Sequence, residues 1–208
     1  MKKHIYISAM LAVIIHVVVQ SQPIMNEAFQ HDKNFVLGYA YFTEEERRAF
    51  SMVDDPSVLI IQAAELSKRA GLMKKEASLK RGEEQKRMDD QAEDLLKKAD
   101  TKRLAAAELL AYNNRMEFKA MKNSLISMFD NYNAEDGFVI SAKGMLLKAV
   151  RFYRAAVELR EEAYAQRTTS GILANLHNAE ERETQALIQL VGAMNELEKA
   201  VPQVVATR

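Results

Sequence analysis

Between Pro56 and Pro202 the chain contains no proline, and that interval covers most of its 208 residues. Proline removes a backbone donor and clashes with the preceding turn, so the interval lacks the residue that most reliably stops a helix. Glycine is also sparse, at seven, whereas an all-β chain needs frequent Gly- and Pro-rich turns. What fills the interval is a repeating apolar stripe. Leu59, Ala63, Leu66, Ala70, Met73 and Ala77 recur at alternating steps of four and three, the spacing that keeps one helical face against a partner. The stripe lapses around Gly82, a candidate helix stop, and resumes at Met88, Ala92, Leu95 and Ala99. It continues less regularly through Leu104, Leu109, Met116, Ala120 and Leu125 to Phe129. Continuity through Asp100-Thr101 is the expectation; a break there would give a compact four-helix bundle.

Two further stripes follow. Met145, Ala149, Phe152, Ala156, Leu159 and Ala163 mark a helix from about Ser141 to Gln166. Leu173, Leu176, Leu187, Leu190, Met194 and Leu197 mark another that runs to about Ala200, interrupted by Glu180 and Glu183. Thr169 or Ser170 is the candidate cap of that last helix. The fold class is therefore all-α, with long antiparallel amphipathic helices over residues 55–201 and a short tail at 202–208. Helix lengths predict hairpins that share one long central helix, which pairs with its predecessor along its first half and its successor along its second. No 34-residue period marks a helical repeat array.

Ahead of the bundle, Asp55 and Pro56 form a helix start, an N-cap followed by proline at the first helical position. "TEEERRAFSMV" offers Thr43 and Glu46 as a capping box, which predicts a short helix over about 43–53. Residues 22–54 are expected to be an irregular arm carrying that helix. Before them, Lys2 and Lys3 precede an apolar run from Ile5 to Val19, with Val19 and Ser21 at the −3 and −1 positions of a cleavage site. The run is short for a bilayer span and contains His16. Residues 1–21 are expected to be a bacterial signal peptide cleaved near Ser21, giving a periplasmic or secreted product with no membrane span; a retained anchor is the alternative.

Composition removes several function classes. The 29 basic and 29 acidic residues cancel, so no global field gathers nucleic acid. With no cysteine, disulfides, thiol catalysis and thiolate metal sites are impossible. The segment "FDNYNAEDGFVIS" (129–141) resembles a calcium loop only superficially. Aligning Gly137 with the invariant glycine puts Tyr132, Ala134 and Lys143 where ligands belong. It is expected to be a helix connection, with Asn131 and Asn133 suited to left-handed backbone and Ser141 as cap. A bundle di-iron site needs two Glu-x-x-His motifs, and His31 and His177 are the only histidines after residue 21. No Gly-x-Ser-x-Gly or phosphate loop occurs, and Asp89-Asp90 and Glu180-Glu181 lie in charge-dense helical runs. No catalytic, metal or cofactor-binding residue is assigned.

One constellation carries a binding reading. Met116, Phe118, Met121, Met128, Phe129 and Tyr132 lie at the end of the second long helix, and Met145, Phe152 and Tyr153 lie on the third. Together they form either ordinary core or a soft groove for an apolar partner segment. Tyr39, Tyr41 and Phe42 of "FVLGYAYF" pose the same choice. The expected role is a non-enzymatic scaffold or adaptor that binds a cell-envelope or secretion protein through helical faces, with homo-oligomers compatible. A holdase-type chaperone and a carrier of a small apolar ligand are the alternatives.

Overall fold

The computed structural model describes residues 42–53 and 55–202, all of whose regular structure is helical. The expected signal peptide, Tyr39, Tyr41 and the end of the tail lie outside those residues. The chain divides into two compact units, Met1–Asp54 and Asp55–Arg208.

In the first unit, α1 spans Glu44–Ser51 and begins as expected. Thr43 Oγ1 accepts from the Glu46 N–H at 3.2 Å, and Glu46 Oε2 accepts from the Thr43 N–H at 2.9 Å. Two backbone donors that the first turn leaves open are thereby satisfied. Phe42 and Phe50 are both buried and meet edge to face, 5.4 Å between ring centres.

The second unit holds α2 (Pro56–Ala77), α3 (Glu83–Phe129), α4 (Gly137–Tyr164) and α5 (Thr169–Leu197). The Asp55 carboxylate caps α2 by accepting from the Ser57 N–H at 2.8 Å. That backbone hydrogen bond, helped by the Ser57 side chain, holds its pKa below the usual carboxylate value. Gly82, between α2 and α3, has φ +66°, a region where a Cβ is strained. α3 runs unbroken for 47 residues, about 70 Å at the helical rise. Thr101 does not interrupt it, because its Oγ1 donates back to the Lys97 carbonyl at 3.0 Å.

Two starts differ from expectation. α4 begins at Gly137 rather than near Ser141, because Asp136 accepts from the Phe138 N–H at 2.7 Å and caps the helix four residues earlier. Gly137 is thus helical. Asn131 and Asn133 keep negative φ, and Asn133 instead closes its turn by accepting from the Glu135 N–H at 3.1 Å. α5 is capped by Thr168, which accepts from the Gly171 N–H at 3.2 Å, not by Thr169 or Ser170.

Alanine forms the seams. Ala63, Ala70 and Ala77 on α2 and Ala92, Ala99 and Ala106 on α3 recur at steps of seven and are essentially inaccessible. The same holds for Ala142, Ala149, Ala156 and Ala163 on α4 and for Ala179, Ala186 and Ala193 on α5, with Ala200 just beyond its end nearly so. So small a side chain lets paired helices approach closely, since interaxial distance follows the residues at the contact. At Gly192 the approach is closer still, for an added Cβ would lie 3.2 Å from Met145 Sδ.

α2 packs along α3, and α4 packs along α5. The second half of α3 packs chiefly on α5 rather than on its successor α4, which corrects the expected hairpin order. Three helices therefore share one core, in which Phe118 and Leu125 of α3 meet Val139 of α4 and Leu190 and Leu197 of α5. The return of α5 also brings Pro202 into an isolated antiparallel bridge with Tyr132, beside the α3–α4 connection.

Candidate functional site

The burial pattern of α3 changes along its length. At Ala92 and Ala99 one stripe is covered, but from Ala105 to Tyr112 nearly every side chain is buried or half-buried. Here α3 passes from α2 to the α4/α5 pair. Gln62 of α2 accepts from Lys102 Nζ at 2.7 Å on one side, and Leu104 and Ala107 pack against Ala163, Ile172 and Leu176 on the other. Ala120, read as part of the inward stripe, is exposed, because the stripe rotates where the partner changes.

At this crossover and just beyond it lies a cluster of buried and half-buried ionisable side chains. Glu183 of α5 is 2 % exposed and accepts three hydrogen bonds. Arg160 of α4 donates through Nε at 2.7 Å and Nη2 at 3.1 Å, and Asn114 of α3 donates through Nδ2 at 2.7 Å. A forked guanidinium matches a carboxylate in two parallel bonds, so the pair fixes orientation as well as charge. All three helices are joined through this one carboxylate.

Glu108 of α3 is 6 % exposed and belongs to the same cluster. Burial pushes its pKa up to about 7; the Arg160 guanidinium opposes that shift and the Glu183 carboxylate adds to it. Glu108 Oε1 and Arg160 Nη1 are both buried without a hydrogen-bond partner among the described residues. The charge arithmetic explains the acid. One half-buried guanidinium already paired with Glu183 leaves the second carboxylate uncompensated, and an uncompensated buried charge is expensive enough to bind a proton instead. Burial likewise raises the Tyr153 phenol above its ordinary value, and Glu183 adds to the effect. The Tyr153 ring stacks on Phe118, 4.2 Å between centres and 9° from parallel, so α4 also touches α3 here.

The Met/aromatic constellation is brought together by the three-helix section. Phe118 is buried, and Met121, Met128, Phe129, Tyr132, Met145, Phe152 and Tyr153 pack half-buried against the core. Met116 is half-buried. Phe42 lies in the first unit, against Phe50. His177 is exposed, 3.6 Å from Glu181. Among the described residues no group of three His, Asp or Glu side chains is placed to hold a metal ion, and no helix is long and apolar enough to cross a membrane.

The ionisable cluster was missed from sequence, although a signal for half of it exists. Leu176, Glu183, Leu190 and Leu197 are spaced by sevens, as are Val139, Leu146, Tyr153 and Arg160. Each stripe carries one charge, of opposite sign, at a position whose fellows are apolar. Glu108, inside "LAAAELLAY", has no such signal. The fold and cluster define a long-helix, all-α bundle with an ionisable cluster at the junction of three helices. No family model, curated protein or solved structure matches the chain.

Proposed function

We propose that this protein is an exported, non-enzymatic scaffold or adaptor that holds cell-envelope or secretion components through its helical faces. The observation that carries the reading is a set of large aliphatic side chains left outside a core already filled by alanine and leucine. Alanine fills the seams, while Ile60, Ile61, Leu72 and Leu79 around α2, Ile140 and Leu147 on α4 and Ile188 on α5 are exposed. Large aliphatic side chains left outside a filled core are the groups an interface with another protein would cover. The n-region, apolar run and small residue at Ser21 support export.

The test is photo-crosslinking in living cells from residues placed at Ile61, Leu72 and Leu79, with exposed Lys148 and Glu158 as comparison positions. The expected result is one defined envelope protein captured from the aliphatic positions and not from the charged ones. Equal capture from both sets, or a product that fractionates with the cytosol at its full unprocessed mass, would overturn the reading.

A further inference from the structure

We propose that Glu108 is a proton-operated latch for the junction of α3, α4 and α5: protonated, it lets the three helices close on one ion pair, and its ionisation loosens them. The geometry has three parts. The junction holds two buried carboxylates and one half-buried guanidinium, 14 % exposed, and Glu183 already takes two of the guanidinium's donors and the Asn114 amide. Among the described residues Glu108 Oε1 and Arg160 Nη1 have no hydrogen-bond partner, so as the helices sit the carboxyl is not bonded to the guanidinium at that oxygen. The site also lies where the long helix exchanges one partner for two, so a change there alters how α4 and α5 sit on α3.

The groups that act on this carboxyl can be named by element. From α4 comes Arg160, and from α5 comes Glu183. Tyr153 of α4 shares the electrostatic surroundings of Glu183, Arg160 and Arg115. On α3 itself, Arg115 lies over the Tyr112 ring, 5.9 Å from its centre. Ionising Glu108 places a second negative charge beside Glu183 with a single half-buried cation between two claimants. The favourable response is for water to enter beside the two carboxylates, which requires the helices to part.

The chain has no cysteine, so a spin-label pair can be introduced without background. With labels at Glu117→Cys on α3 and Glu158→Cys on α4, both exposed, the interhelix distance distribution of the full chain is expected to be narrow at pH 5.5 and broad at pH 8. Adding Glu108→Gln, the amide counterpart of the protonated acid, should keep it narrow at both. The thermal midpoint of the parent chain should fall by about 4–8 °C over the same interval, and that of the Gln variant should stay level. Parent-like broadening in Glu108→Gln, or no pH response in the parent, overturns the proposal. So does failure of both Glu108→Gln and the apolar Glu108→Met to fold at pH 5.5, because each mimics the uncharged state the latch requires.

Discussion

The α2–α3 hairpin and the three-helix section share the same seam, heptad-spaced alanine, yet differ in what lies beside it. On α4 the positions that flank the seam are Val139, Leu146, Tyr153 and Arg160, and α3 covers them. The equivalent positions on α2 are Ile60, Ser67 and Lys74, which stay exposed or half-buried; among the described residues α2 packs chiefly on α3. In the hairpin, polar side chains meet only along its rim, as where Arg103 Nη2 donates to Ser67 Oγ at 2.7 Å. In the three-helix section a charged side chain at a flanking position is forced into the interior and must find its counter-charge there. A third helix therefore turns a row of ordinary surface residues into the most demanding part of the core.

The largest effect should come from removing the cation. Arg160→Leu keeps much of the volume but leaves Glu183 and Glu108 without a counter-charge, and is expected to cost about 3–5 kcal/mol at pH 7. Urea unfolding measures it; a loss below about 1 kcal/mol would mean that the two sections do not differ as described. The pH dependence of the unmodified chain comes next. Glu108 binds its proton more tightly folded than unfolded, its pKa rising from 4.5 to about 7. Its contribution is therefore complete below pH 4.5 and is lost as pH rises through 7. At about 1.4 kcal/mol per pKa unit the loss is about 3 kcal/mol, read as a falling urea midpoint with rising pH.

Overfilling the seams sharpens the comparison further. Ala186→Leu, enclosed by three helices, should cost about 1–3 kcal/mol, and Ala70→Leu less, since two helices can part more easily than three. Equal losses would show that the hairpin is as constrained as the bundle. The smallest expected effect is that of a cap. Asp136→Ala should cost about 1 kcal/mol and fray the start of α4, visible as faster amide exchange at Phe138 and Val139 with the rest unchanged.

Much of the architecture is legible in single side chains. Thr43 with Glu46, and Asp55 with Pro56, start helices where their chemistry dictates, because a cap satisfies donors within three residues of itself. α4 and α5 were harder to delimit. Asp136 and Ser141, and likewise Thr168, Thr169 and Ser170, are all competent caps, and nothing local ranks them. Glu183 was visible as an interruption of its stripe, but an interruption alone does not distinguish a solvated carboxylate from a buried one.

Local periodicity by itself determined that the chain is helical, where most helices begin, and that alanine would recur in the contacts of α2, α3 and α4, though not of α5. It does so because propensity, capping and the 3.6-residue turn act within a few residues of one another. Tertiary structure alone decided that α3 turns from α2 to α5 rather than to α4, and that Glu108, Arg160 and Glu183 share one interior. A helix face specifies which side chains travel together but not which neighbour covers them. Covering is set by contacts between residues far apart in the chain, such as Asn114 and Glu183, 69 positions apart.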